Sequence, residues 1–138
     1  MRERLEKPGG ITHYRVHLLE QPQLSRAGVT HSEGEQRELI AWSEIRHAIA
    51  AEVGEPEGVR TIVFDLVARE PNGWVAYRFD TDPGEDAMRV ARHIAEGLGP
   101  DRPSVSLKSI ATDGIPTRWY PDLDDFEADS IHLLETDP

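Results

Sequence analysis

Two rhyming turns constrain this 138-residue chain more than any other feature: Glu55-Pro56-Glu57-Gly58 and Glu70-Pro71-Asn72-Gly73. Each puts Pro where a φ near −65° is wanted and ends in Gly, where φ > 0 is cheap. Residues 59–69 between them are rich in Val, Ile and Phe, and residues 74–80 continue the pattern. The second turn therefore predicts a hairpin in which Arg69 faces Trp74. Phe64 then meets Phe79, Leu66 meets Tyr77 and Ala68 meets Val75 on one face. On the other face Asp65 meets Arg78, an opposite-charge pair worth ~0.2–1 kcal/mol across strands. The same rule at the first turn pairs Ile49 with Phe64, Ala51 with Ile62 and Ile45 with Ala68. His47 then falls on the core face near Leu66. Residues 43–53 also fit a helix, through Ala48, Ala50 and Ala51 and the i, i+4, i+8 spacing of Ile45, Ile49 and Val53. The shared apolar face favours the strand, because a one-residue slip would separate it.

Around this meander other elements are legible. Asp82-Pro83-Gly84-Glu85 reads as a helix start, with Asp82 at the N-cap and Pro83 first in the helix. Ala87, Val90, Ala91, Ile94 and Leu98 form one stripe, and Gly99-Pro100 ends it, so a helix is expected over residues 83–98. Upstream, residues 11–19 alternate as a half-buried strand, with Tyr14, Val16 and Leu18 on one side and His13, Arg15 and His17 on the other. Residues 21–27 contain Pro22 and read as a connection. Residues 28–31 and 37–42 flank Ser32-Glu33-Gly34-Glu35 as a small hairpin.

The net charge of −11 is uneven: residues 1–118 carry 15 basic and 19 acidic side chains, and the last twenty carry seven acids and no base. The body is close to balanced, which disfavours nucleic acid and anionic membrane as partners. The absence of cysteine removes disulfides, thiolate catalysis and Cys-ligated metals. No apolar run reaches the ~18 residues of a membrane-spanning helix or has the form of a leader, so a cytoplasmic protein is expected. The chain divides into a flexible arm (1–10), a folded body (11–99), an extension with a candidate strand (100–118) and an acidic tail (119–138).

A three-stranded antiparallel meander followed at once by a capped helix, with Trp42-Ser43-Glu44-Ile45 leading into the first strand, resembles the C-terminal half of bacterial pleckstrin-homology-like domains. The resemblance covers about residues 38–99 and rests on motifs of low specificity. It implies an α+β fold in which a bent antiparallel sheet or partly open barrel packs against one C-terminal helix. That family has a further block of strands ahead of the meander, of which three short ones are visible here. It also implies a non-catalytic role in binding proteins, peptides or lipids, with no cofactor.

Few residues offer chemistry. His13 and His17 share a strand face but lie four residues, ~13 Å, apart, too far for one ion without other partners. His31 joins them only through tertiary structure, and solvated histidines are the simpler reading. Asp65, flanked by Val63 and Val67, is a candidate buried acid or base, for which pairing with Arg78 is the simpler account. The tail run from Asp122 fails the calcium-loop pattern, since Phe126 and Glu127 stand where a ligand and Gly are needed. Its acids interleave with apolar residues like a docking peptide, so Trp119, Tyr120, Asp122, Asp124, Asp125 and Phe126 are the expected partner-binding residues. No GxSxG, phosphate-binding loop, HExxH or GxGxxG occurs. The expected function is a non-enzymatic module for a protein or peptide partner, basic if it meets the tail. The alternative is a small α+β enzyme or a ligand- or metal-binding domain using the histidines and Asp65.

Overall fold

The hairpin after Glu70 forms in the expected register. In the computed structural model β6 (Arg60–Glu70) and β7 (Gly73–Thr81) pair Phe64 with Phe79, Asp65 with Arg78 and Arg69 with Trp74. Phe64 and Phe79 stack with ring centroids 5.4 Å apart. The structure describes residues 14–54, 58, 60–71, 73–99, 104–105, 119–120 and 124–125.

Ahead of this hairpin come β1 (Tyr14–Leu18), β2 (Glu20–Leu24), β3 (Gly28–Glu33), β4 (Gln36–Ala41), a 3-10 turn at Trp42–Glu44 and β5 (Ile45–Gly54). After it come α1 (Glu85–Leu98), β8 (Ser104–Val105) and β9 (Trp119–Tyr120). The larger sheet runs β1-β7-β6-β5, with β1 parallel to β7 and with β8 and β9 both parallel along the outer edge of β5. The smaller sheet is the antiparallel set β2-β3-β4. Among the described residues the fold is α+β with two sheets and a helix, and the sheets do not close into a barrel.

Residues 45–54 are a strand, yet the expected register of the first hairpin is overturned. Ile45 faces Ala68 as expected, but His47 faces Val67, so Arg46 is an extra residue in a bulge. Beyond it every pair shifts by one: Ala48 faces Leu66, Ile49 faces Asp65, Ala50 faces Phe64 and Ala51 faces Val63. The apolar pattern cannot forbid this slip, because both faces of the sheet are buried. One face carries Ile45, Ala48, Ala50, Ile62, Phe64, Leu66 and Phe79 in a cluster with the smaller sheet and α1. The other carries Ile49, Ala51, Val63, Val67, Trp74 and Ala76. Fully burying a side chain such as Phe64 or Leu66 contributes ~1.5–3 kcal/mol.

Two further expectations are corrected. The segment expected as a connection contains β2, an edge strand whose bulge between Glu20 and Gln23 houses Pro22, where no ladder N–H is needed. Gln21 there has φ 50, and its carbonyl accepts a hydrogen bond from Arg37 Nη1 at 2.8 Å. The helix starts at Glu85 rather than at Pro83, with Gly84 at the N-cap in place of Asp82. Gly84 has φ 105, a backbone conformation that breaks the helix before Glu85 and suits only glycine. Glu85 and Asp86 then sit in the first turn, where the helix dipole favours acids. The C-terminal stop is as expected, with Gly99 at φ 80. Four members of the expected stripe, Ala87, Ala91, Ile94 and Leu98, are buried.

Trp42 joins these layers. Its indole N–H donates to the Ser25 carbonyl at 2.9 Å, while its ring lies against the backbone of α1 at Gly97. A Cβ at Gly97 would collide with the ring. Only the absence of that carbon lets helix and indole approach so closely.

Candidate functional site

Two of the expected partner-binding residues lie at the far edge of the larger sheet. Trp119 and Tyr120 form β9, in register with Glu52 and Val53. Asp124 and Asp125 are helical and exposed, and Asp122 and Phe126 lie outside the described residues.

Asp65 is placed where its isolation from solvent is complete. Arg78 grips it with two parallel hydrogen bonds, Nε to Oδ1 at 2.7 Å and Nη2 to Oδ2 at 2.8 Å, and the two side chains are 0% and 4% exposed. An open cleft of about 410 Å³ beside the β1–β2 corner reaches Arg78, Leu18 and Pro22. Leu18, expected on the apolar side of its strand, overhangs this corner and is largely exposed. The carboxylate of Asp65 is a partner for its arginine and not an accessible acid or base.

The histidines separate into different environments. His13 and His132 lie outside the described residues, and His93 is exposed on α1. His47 leaves the face shared with Leu66 because of the bulge, and its ring meets Trp74 edge-on with centroids 5.5 Å apart.

His17 and His31 converge. The chain leaves β1 at Leu18 and enters β2 at Glu20, passing between sheets over the single residue Leu19. That crossing lays β3 over the face of β1 that carries His17. The two imidazoles meet at 5.6 Å between centroids, nearly perpendicular. Glu33 follows His31 by two residues on the same strand, so both side chains point to one face. Its Oε2 stands 3.3 Å from His17 Nε2 and 3.9 Å from His31 Nδ1. One donor atom from each residue lies within 4.8 Å of the other two. His31 is 3% exposed, and its Nδ1 is buried without a hydrogen-bond partner. Behind the cluster, Tyr77 sets its ring edge-on to His17 at 5.8 Å. Burial pushes the Tyr77 hydroxyl above its ordinary pKa, so it stays neutral; nearby Arg15, itself bonded to Glu70 at 2.7 Å, opposes the shift. Glu33 is not among the residues to which the sequence points. Its signal is His31-x-Glu33 within a strand, which becomes meaningful only when a third donor arrives from another element.

No protein-family model, no curated protein and no solved structure matches this chain. Its class therefore rests on its own geometry: a two-sheet α+β domain with a helix against the shared core.

Proposed function

We propose that this chain is a non-catalytic interaction module of the pleckstrin-homology-like kind, which holds an extended protein or peptide segment against the outer edge of β5. The supporting observation is the pattern on that edge. Both β8 and β9 lie along it in parallel, each over only two residues, at Ala48–Ile49 and at Glu52–Val53. Pairings so short contribute few backbone hydrogen bonds, and a longer extended segment can replace them by strand addition. Displacing β9 releases the acidic tail toward the same partner. Trp119, Tyr120 and Phe126 then serve as apolar anchors, and Asp122, Asp124 and Asp125 select a basic sequence.

Fluorescence anisotropy with a labelled peptide of alternating Val and Arg, in buffer with EDTA, tests this on the full chain. The peptide is expected to bind more weakly as salt rises. Val105→Pro removes a backbone N–H from β8 while leaving the anchors of the tail in place, and is expected to tighten binding by roughly tenfold, or ~1.4 kcal/mol. The triple change Asp122→Asn, Asp124→Asn, Asp125→Asn is expected to weaken it and flatten the salt dependence. Unchanged affinity across these variants, or no binding by any of them, refutes the reading. The alternative, an enzyme or a ligand- or metal-binding domain, is favoured among the described residues by the meeting of His17, His31 and Glu33.

A further inference from the structure

We propose that His17, His31 and Glu33 bind one divalent first-row transition-metal ion, with zinc the best match, and that the ion ties the two sheets together. The site is separate from the β5 edge and does not depend on the strand-addition reading.

The donor set comes first. Two imidazoles and one carboxylate suit zinc, cobalt or nickel, whereas calcium and magnesium take oxygen ligands. Zinc bonds of ~2.0–2.1 Å in a tetrahedron place neighbouring donor atoms about 3.4 Å apart. His17 Nε2 and Glu33 Oε2 already stand at 3.3 Å, and His31 Nδ1 reaches Glu33 Oε2 at 3.9 Å. The three donors lie within 4.8 Å of one another, and the two imidazoles are the widest pair, so the part-exposed His17 ring and the half-exposed Glu33 carboxylate must both close on the buried His31, by about an ångström.

The unpartnered atom is the second and independent observation. A buried polar group without a partner costs ~1–3 kcal/mol, and such groups in folded proteins call for an explanation. An ordinary contact between His17 and Glu33 accounts for those two side chains and leaves His31 Nδ1 without a hydrogen bond, its nearest carboxylate oxygen 3.9 Å away. An ion between the three donors gives that nitrogen its partner. His31 is held by the core, the edge-on ring of Tyr77 steadies His17, and Glu33 closes from the solvent side. Three protein donors leave a fourth position for water, as in zinc sites that are not purely structural.

The strand positions add a mechanical consequence. His17 belongs to the larger sheet, and His31 and Glu33 to the smaller one. An ion held between them adds a cross-link across the layer and stabilises the folded state in proportion to its occupancy.

The test uses the full chain, stripped with EDTA, dialysed and titrated with zinc sulfate in a calorimeter. One ion per chain is expected, with a rise of roughly 5–10 °C in the thermal midpoint at hundredfold excess over Kd. His17→Gln and Glu33→Gln are expected to weaken binding by at least roughly tenfold while leaving the metal-free midpoint close to that of the parent. His93→Gln, on the exposed face of α1, is expected to change nothing. Cobalt in place of zinc reports the geometry directly, through visible absorption lost in the same two variants. No zinc uptake at roughly 100 μM, uptake that His17→Gln and Glu33→Gln leave intact, or equal loss in His93→Gln overturns the proposal.

Discussion

Asp65–Arg78 and His17–His31–Glu33 are both polar clusters set into a largely apolar fold, and they differ in whether they are finished. The first is bidentate and shielded from solvent, with both carboxylate oxygens engaged. The second holds three donors within reach of one another and one buried nitrogen with no partner. A finished pair has nothing left to offer a ligand, so its chemistry is spent on the fold. The unfinished one carries its cost in the folded state, and a cation removes that cost. Burial alone does not make a group available to a ligand; a metal-ligating atom left without a hydrogen bond beside two further donors is available.

The largest effect is expected at the finished pair. Asp65→Leu or Arg78→Met each strands the other group in the interior, at a cost of ~3–5 kcal/mol in unfolding free energy. The double substitution Asp65→Leu with Arg78→Met is expected to lose much less than the sum of the singles, because no charge is then left behind. Urea denaturation of the four proteins measures this. Additive single and double effects would break the distinction, since the pair would then behave as two unrelated surface charges.

Gly97 is finished in space as the arginine pair is in valence. Ala is the better helix former by ~1 kcal/mol, so an exposed position would gain from Gly97→Ala. Here the new carbon meets the Trp42 ring, whose N–H is committed to the Ser25 carbonyl. A net loss of ~1–3 kcal/mol is expected. It should appear as a lower thermal midpoint, accompanied by a change in tryptophan fluorescence as the indole is displaced.

The same contrast between determined and undetermined features separates what the residues reveal from what they conceal. The β6–β7 register is legible because the Glu70-Pro71-Asn72-Gly73 turn sets which residues face, and the alignment it sets also puts Asp65 opposite Arg78. The β5–β6 register is not, because Ile49 and Ala51 are as acceptable on one buried face as Ala48 and Ala50 are on the other. A bulge at Arg46 then decides the matter through local geometry, which composition does not encode. The helix is legible through its stripe and Gly99, but its start is misread, because Asp82-Pro83 looks like a cap while the positive φ of Gly84 sets the boundary. β2 hides because its bulge tolerates a proline. The candidate metal site is half visible: His17 and His31 stand out as histidines that only tertiary structure can join, the crossing at Leu19 brings them together, and Glu33 is not singled out. A pairing that spans two sheets leaves no periodic trace.

The smallest effect is expected where the structure is unfinished, and its smallness is what discriminates. His31 is as buried as Arg78, so burial alone predicts that replacing it is costly. Its buried Nδ1 has no partner to lose, however, and an apolar ring of similar size removes an unpaired polar atom while keeping the packing. His31→Phe is therefore expected to change metal-free stability by less than ~1 kcal/mol, in either direction, under the urea conditions used for Asp65 and Arg78. In the presence of zinc the variant should show none of the stabilisation of the parent chain. A loss of several kcal/mol without metal would mean that Nδ1 is satisfied in solution, and the two clusters would then be equally complete. A neutral change that also abolishes zinc-dependent stabilisation places the difference between them in a single nitrogen.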